Sequence, residues 1–438
     1  MKILVIGSGA REHAMIKALN RSPQTTSLYC YGTTVNPGIK QFTTDYRAGD
    51  ITDCSAVLAM AKVWDIELAI IGPEAPLEKG MADQLWQAGI PVIGPKKALA
   101  QIETSKEFAR DLMQKYQIAG LPRYQKFASL NNIEAFLHQL GEGNYVIKAN
   151  GLMGGKGVKV AGEHLHSIAE AKAFCAEILA KHQTFIIEEK LVGQEFSFMC
   201  FADGNQLIPM PLVQDHKRAY NGDLGPNTGG MGSYSDTNHA LPFLTPQEIE
   251  EALAINNAVF QALTTECHEN YIGILYGSFI ATKKGVFVIE FNARFGDPEA
   301  LNVLSILESD FLAICKAIVN GNLTQDLVKF ANQATVCKYA VPEGYPDSPK
   351  KNFPVNFSKI SCQSHLYLAS VDEIDHQLLA AGSRTAAYVG VADTLFEAEK
   401  RAEKEITQIE GSLFHREDIG TKQLIQQRID NMSRIRSS

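Results

Sequence analysis

The run Ile289-Glu290-Phe291-Asn292-Ala293-Arg294-Phe295-Gly296-Asp297-Pro298-Glu299 ends an apolar stretch with a carboxylate, an amide and a guanidinium. Side chains alternate faces along a strand, so Glu290 and Asn292 share one face and Phe291 takes the other. Two hard oxygen donors on one face suit Mg²⁺ or Mn²⁺, with phosphate oxygens and water completing the shell. Arg294, two residues on, is within reach of a transferring phosphoryl group, whose charge it would neutralise. A polar edge strand is the plain alternative, but four polar groups in register beside an apolar strand weigh against it.

A second stretch, Lys148-Ala149-Asn150-Gly151-Leu152-Met153-Gly154-Gly155-Lys156-Gly157, is rich in glycine and lysine. It is not a Walker A loop, because Gly157 stands where serine or threonine is required and the flanks read strand–strand. Such a hairpin can instead close over a triphosphate as a flap. Lys148 would supply a fixed charge to the α- and β-phosphates, and glycine lets backbone approach oxygen without a Cβ clash. A merely flexible hairpin is the competing reading.

The N-terminal Gly7-Ser8-Gly9-Ala10-Arg11-Glu12-His13 follows an apolar run and precedes a helical pattern. A glycine turn at a helix start offers N–H groups at the positive end of the dipole. The dinucleotide fingerprint fails, since Glu12 replaces the third glycine and the second strand, LYCYG, ends without an acid. Arg11 and His13 point instead to a phosphate on a small substrate, against the alternative of a tight turn with solvated charges. A polar loop from Gln214 to Ser235 carries Asp215-His216-Lys217-Arg218 and Gly225-Pro226-Asn227-Thr228-Gly229-Gly230-Met231-Gly232. Its length suggests function, but its chemistry alone assigns no ligand.

Positioning these groups requires a particular set of elements. Short apolar strands at Lys2–Ile6, LYCYG, LAIIG and IPVIGP, separated by helical patterns, predict a parallel sheet covered by helices and ending near residue 100. From Thr104 the pattern changes. Helices at Lys106–Tyr116 and near Asn132–Gln139 lead to strands YVIKA, VKVAG and FIIEE, then to strands at Gln194–Phe201 and Gln206–Pro211. A helix over about Pro246–His268, two strands ending in VFVIEFN and a helix over about Glu299–Val319 complete the middle region. Beyond Ala334 lie the strand-like runs TVCKYAV, HLYLASV and TAAYVGV and an amphipathic helix around Leu395–Gln408. The polar last residues read as a fraying helix end.

Composition sets the outer bounds. The 438 residues exceed one ordinary core, so two to four packed units are expected. A net charge of −8 excludes general nucleic-acid binding, which needs a clustered basic excess. The eight cysteines form no CxxC pair and no zinc spacing, so a reducing compartment and mostly buried thiols are expected. No apolar run reaches the length of a membrane helix and no leader is evident, giving an expectation of a cytoplasmic protein with no membrane partner.

Taken in order, GSGAREHA, GPEAPL, SKEFARDLM, VIKANGLMGGKGV, IIEEKLVGQEFS, QDHKR, GPNTGGMGSYS, VIEFNARFGDPE and HREDIG resemble the phosphoribosylamine–glycine ligase family of the ATP-grasp superfamily. The resemblance covers almost the whole chain. It implies an α/β fold with three parts: a parallel-sheet N-terminal domain (1–103), a two-part ATP-grasp domain (104–325) whose flap spans about 122–190, and a small C-terminal α+β domain (326–438). It implies ATP contacts at Lys106, Lys148, Gly154, Gly155, Lys156, Glu188, Glu189, Lys190, Leu191, Glu195, Lys217 and Asn227. Glu188–Leu191 would be the hinge facing adenine and Glu195 would hold the ribose hydroxyls. Glu290 and Asn292 would bind Mg²⁺ or Mn²⁺. Gly9, Arg11 and Glu74 would face 5-phosphoribosylamine, and Arg294, Asp215 and Asp297 would act on glycine and the amine.

The implied activity is ATP-dependent joining of glycine to 5-phosphoribosylamine through glycyl phosphate, by a monomer or weak dimer. Another ATP-grasp ligase or carboxylase, and a non-catalytic nucleotide-binding protein, are the alternatives. The sequence departs from the family pattern in four places. Asn150 stands where an acid is expected, and Lys338 interrupts an apolar run. Ser383 replaces a glycine, and LYGSFIAT brings no acidic metal ligand.

Overall fold

The computed structural model describes residues 1–24, 26–154, 157–181 and 183–438, so Gly155 and Lys156 of the flap lie outside the described residues. Five strands, β1 (Lys2–Ile6), β2 (Ser27–Gly32), β3 (Asp45–Ala48), β4 (Leu68–Ile71) and β5 (Val92–Ile93), form a sheet in the order β3-β2-β1-β4-β5. All its pairings are parallel. The strands LVI and LAII are buried on both faces, as continuous apolar strands under helices must be.

The next unit is a four-stranded antiparallel sheet of Tyr124–Phe127, Phe185–Glu189, Tyr145–Ala149 and Val158–Val160, in that order. Helices Ile133–Leu140 and Ile168–Ala180 cover it, and Phe127, Phe136, Ile147, Phe174 and Phe185 give it a core of its own. Leu207–Pro209, Gly193–Asp203, Ile272–Thr282 and Gly285–Asn292 make a second antiparallel sheet, whose side chains join the main core. The 22-residue helix Pro246–Cys267 packs there, started by a reciprocal cap between Thr245 and Glu248.

The segment Gln214–Ser235 is not the irregular loop its composition suggests. Gln214–Asp215 and Gly232–Ser235 are strands of a sheet completed by Ala334–Pro342, Ala386–Ala392 and Leu366–Leu368. Between them Arg218–Tyr220 and Leu224–Asn227 form a hairpin. Glycine is required at 232: φ is +153°, and a Cβ would lie 2.2 Å from the Cys337 carbonyl oxygen. Short pairing at such close approach leaves little alternation to read from sequence.

Two other expectations change. The helix expected over Glu299–Val319 is two, Glu299–Ser305 and Phe311–Asn320, because Asp310 caps the second by accepting from the Leu312 N–H at 3.0 Å. The C-terminal residues do not fray: Lys422–Ser437 is helical, Leu424 and Met432 are buried, and Arg436 pairs with Glu248 at 2.6 Å. Six of the eight cysteines are buried, leaving Cys267 part-buried and Cys362 exposed. Among the described residues no helix is long and apolar enough to cross a membrane.

Lys338 sits in the strand Ala334–Pro342 with no exposed surface. Its ammonium meets Glu399 at 2.8 Å, Glu403 at 2.6 Å and the Glu417 carbonyl at 2.8 Å. Two of its partners come from the helix Leu395–Ile406, so the charge in the apolar run is a fastener between strand and helix. Removing both acids, in Glu399→Ala with Glu403→Ala, should cost about 3–5 kcal/mol, because an uncompensated charge stays buried. Adding Lys338→Met should recover most of that loss in urea unfolding. A triple variant no more stable than the double would contradict the fastener role.

Candidate active site

Glu290 lies in the strand Gly285–Asn292, opposite Ser278, and Asn292 lies opposite Tyr276. The preceding strand therefore brings hydroxyls, not acids, to this face, and the Tyr276 hydroxyl is committed to Glu299. Among the described residues no cluster of three or more His, Cys, Asp or Glu is placed to hold a metal. Burial alone would raise the Glu290 carboxyl. Lys217, Lys106, Lys148 and Arg294 face it and hold it below the usual range. One carboxylate and one amide oxygen among four cations fit a divalent ion that shares its shell with phosphate. They do not fit an ion caged by protein alone.

Each of the three lysines has a further partner of its own. Lys148 meets Glu188 at 2.7 Å and the Ile289 carbonyl at 2.9 Å. Glu188 is also gripped by Arg110, whose second nitrogen lies 3.1 Å from it. Burial opposes ionisation of Glu188, yet Arg110 and Lys148 together pull its carboxyl down to about 2. Lys106 donates to the Gly151 carbonyl at 2.8 Å. Lys217 faces Glu195 at 3.6 Å.

Asn150 does what a carboxylate could not: its oxygen accepts from Ser105 at 3.2 Å, and its nitrogen donates to Thr184 at 3.3 Å. Glu189 and Lys190 turn their side chains to the sheet, meeting the Arg123 N–H and the Ala161 carbonyl, each at 2.8 Å. Leu191 follows them where the chain leaves the strand Phe185–Glu189. Gly154 has φ +53° with open space around it, and Asn227 is exposed on the hairpin.

The N-terminal turn differs from the sequence reading. The Gly9 N–H donates to the Glu12 carboxylate at 2.7 Å, and Arg11 is buried against Glu12 at 2.7 Å and the Phe295 carbonyl at 3.1 Å. The Glu12 side chain fills the space that a dinucleotide turn leaves for backbone, and a Cβ on Gly72 would lie 1.9 Å from its carboxylate. His13 is likewise no phosphate ligand. Its Nδ1 accepts from the Leu368 N–H at 2.9 Å, and burial drives it well below its usual pKa, neutral. Arg11 through Phe295 and His13 through Leu368 each contact another part of the chain, while the His13 Nε2 is buried without a partner among the described residues.

Arg294 is held by Glu103 at 2.9 Å, Glu74 at 3.3 Å and Asn292 at 3.1 Å. Asp297 accepts from the Tyr339 hydroxyl at 2.6 Å and pairs with Arg384 at 3.3 Å. Arg384 also donates to the Gly229 carbonyl at 2.6 Å and the Gly230 carbonyl at 3.1 Å, and stacks on Tyr339 at 4.5 Å. Asp215 abuts Gly230, and burial and Glu299 push its carboxyl well above the ordinary range. A Cβ on Gly9 would stand 3.8 Å from Asp297, so the three parts of the chain meet here.

Glu103, Arg110 and Arg384 were not selected from sequence. Arg110 had a signal, since it falls one turn after Lys106 on the same helix face. Arg110→Ala should destabilise the protein by about 3–5 kcal/mol by leaving Glu188 buried with one cation. The Glu188 contribution is present above pH about 4.5 and is lost as pH falls toward 2, because its folded pKa is depressed. The gap between wild type and a Glu188→Gln variant in urea unfolding should therefore narrow between pH 5 and pH 3 (roughly the window for a lowered carboxylate). A constant gap would refute the pairing.

Phosphoribosylglycinamide synthetase profiles match the chain in three parts: the N domain at residues 1–103, the ATP-grasp (A) domain at 104–300 and the C domain at 335–422. Phosphoribosylamine–glycine ligase of Methanosarcina barkeri is 48% identical over 436 residues, covering 100% of both chains. The Methanocaldococcus jannaschii enzyme of the same name is 46% identical, again with 100% of both covered. The crystal structure of phosphoribosylamine–glycine ligase from Thermotoga maritima superposes with a TM-score of 0.80 at 26% identity, over 95% of this chain and 100% of that one. Biotin carboxylase from Campylobacter jejuni shares the fold alone, with a TM-score of 0.70 at 13% identity. With full-length relatives near half identity and matches to all three domains, this chain belongs to the phosphoribosylglycinamide synthetase family.

Proposed function

We propose that the chain uses ATP to ligate glycine to 5-phosphoribosylamine, releasing ADP and phosphate. The observation that carries this reading is Glu290 facing Lys106, Lys148, Lys217 and Arg294 with Asn292 beside it. Four positive charges around one carboxylate suit a polyphosphate far better than a neutral or cationic ligand. Full-length relatives that carry the ligase name supply the substrates.

A glycine carboxylate oxygen attacks the γ-phosphorus and ADP leaves, giving glycyl phosphate. The amine of phosphoribosylamine then attacks the acyl carbon, phosphate leaves, and the nitrogen loses a proton as the amide forms. Phosphoryl transfer of this kind asks for positioning and charge neutralisation, with no protein nucleophile. Lys106, Lys148 and Lys217 neutralise the triphosphate, and Arg294 neutralises the transferring group. The backbone of Glu188–Leu191 meets adenine, Glu195 takes the ribose, and Gly154 and Asn227 border the phosphates. Glu290 and Asn292 would hold Mg²⁺ or Mn²⁺, which would supply charge neutralisation for the phosphates. Asp215 and Asp297 orient glycine and the amine, while Gly9 and Glu74 border the phosphoribosylamine.

The chain divides on this reading into 1–103, 104–325 with its flap at about 122–190, and 326–438. ADP release in the presence of Mg²⁺ should require glycine and phosphoribosylamine together. Release with a different acid and amine, and none with this pair, would overturn the substrates. Glu290→Ala should abolish turnover while circular dichroism stays unchanged. Arg294→Ala should lower kcat on the order of 100-fold or more with little change in KM for ATP, since its charge matters most in the transition state. Equal losses in both constants would contradict that role.

A further inference from the structure

Glu103 is the penultimate residue of the helix Lys97–Thr104, the last element before the ATP-grasp part, and is buried at 9% exposure. A carboxylate at that depth needs specific partners, because burial disfavours its charge. Its two oxygens are divided between adjacent residues of another part of the chain. Oε2 accepts the Ala293 N–H at 2.7 Å, and Oε1 meets the Arg294 guanidinium at 2.9 Å. The chain leaves the strand bearing Glu290 and Asn292 at just this point. One oxygen fixes the backbone just before Arg294 and the other meets its side chain, which its own segment also holds through Asn292 and the Phe295 carbonyl.

We propose that Glu103 is a positioning residue for the phosphoryl-transfer step, acting through Arg294. The inference rests on the function proposed above. Glu74 reaches the same guanidinium at its Nε, at 3.3 Å, but Glu74 is part-exposed and, among the described residues, makes no bond to the backbone of the turn. Glu103 is thus the partner that holds Arg294 in register with the Glu290 face, and Glu74 is the partner that a substrate could displace. A guanidinium held on two sides is pre-set for charge that develops in the transition state, and misplacement by about 1 Å lowers rate far more than binding.

Glu103→Gln keeps an oxygen for the Ala293 N–H and removes the charge facing Arg294. It should lower kcat roughly 10–100-fold, the range for groups that orient a catalytic residue, with KM for ATP and the unfolding midpoint nearly unchanged. Glu103→Asp should restore part of the rate. In an Arg294→Ala background, Glu103→Gln should lower kcat no further, because its effect passes through the absent guanidinium. Losses that multiply in the double variant would overturn the proposal. So would a Glu103→Gln enzyme of normal kcat, or one whose rate falls only in step with its folded fraction. The cycle is read on whichever acid and amine drive ADP release in the wild type, so a wrong substrate assignment shows in the wild type and a wrong role for Glu103 shows in the cycle.

Discussion

The part-buried Glu290 carboxylate faces Lys106, Lys148, Lys217 and Arg294, four cations drawn from four separate stretches of chain. Like charges so arranged repel one another, and a single carboxylate neutralises only part of the sum. The structure answers by giving each cation a second partner: Glu188 for Lys148, the Gly151 carbonyl for Lys106, Glu195 for Lys217, and Glu103 with Glu74 for Arg294. These partners fix direction as well as charge. These four cations, gathered around Glu290, are what a polyphosphate would meet.

The same constraint explains why the C-terminal part is woven into the rest. Gly232–Ser235 pairs with Ala334–Pro342, so the stretch carrying Asp215 and Lys217 is anchored on a sheet built mainly from C-terminal strands. Arg416, with no exposed side-chain surface, meets Asp223 at 2.9 Å, Asp418 at 2.7 Å and the Arg218 carbonyl at 3.1 Å. It thereby pins the hairpin that follows Lys217. Arg384 does the same for Gly229 and Gly230. A loop rich in glycine has high conformational entropy when free. Bonding it to guanidinium groups from a distant sheet removes that freedom without filling the cleft.

Much of this was legible in the sequence where local periodicity and local chemistry agree. The parallel sheet of the first part, the pairing of Glu290 with Asn292 on one face and the non-Walker character of the Lys148 hairpin all follow from strand alternation and glycine spacing. What was hidden is the set of buried charges that act across sequence distance. Glu12 read as a defect in a glycine fingerprint, yet its carboxylate is the filler that Gly7 and Gly72 make room for. Lys338 read as a departure in an apolar strand, because its partners Glu399 and Glu403 lie on a helix some sixty residues on. Glu103 gave no signal, and Arg384 was passed over although it closes the Gly382-Ser383-Arg384 run in which Ser383 replaces a glycine. The strands in Gln214–Ser235 were missed because runs of two to four residues are too short to display alternation.

Buried ion pairs are poor instruments of stability, since well-packed apolar groups of similar size often serve as well or better. Their density around Arg294, Glu188 and Asp297 therefore calls for another reason. An apolar replacement for Glu188 would leave Lys148 free to swing on its four-carbon stem. A replacement for Glu103 would free the Arg294 turn from the first part of the chain. In each case packing would be restored and direction lost. A site that must neutralise charge at a fixed point in space needs direction more than it needs packing, and hydrogen-bonded ion pairs provide it. That need accounts for a core, at the meeting of three parts of the chain, made of carboxylates and guanidinium groups where leucine would have sufficed for folding.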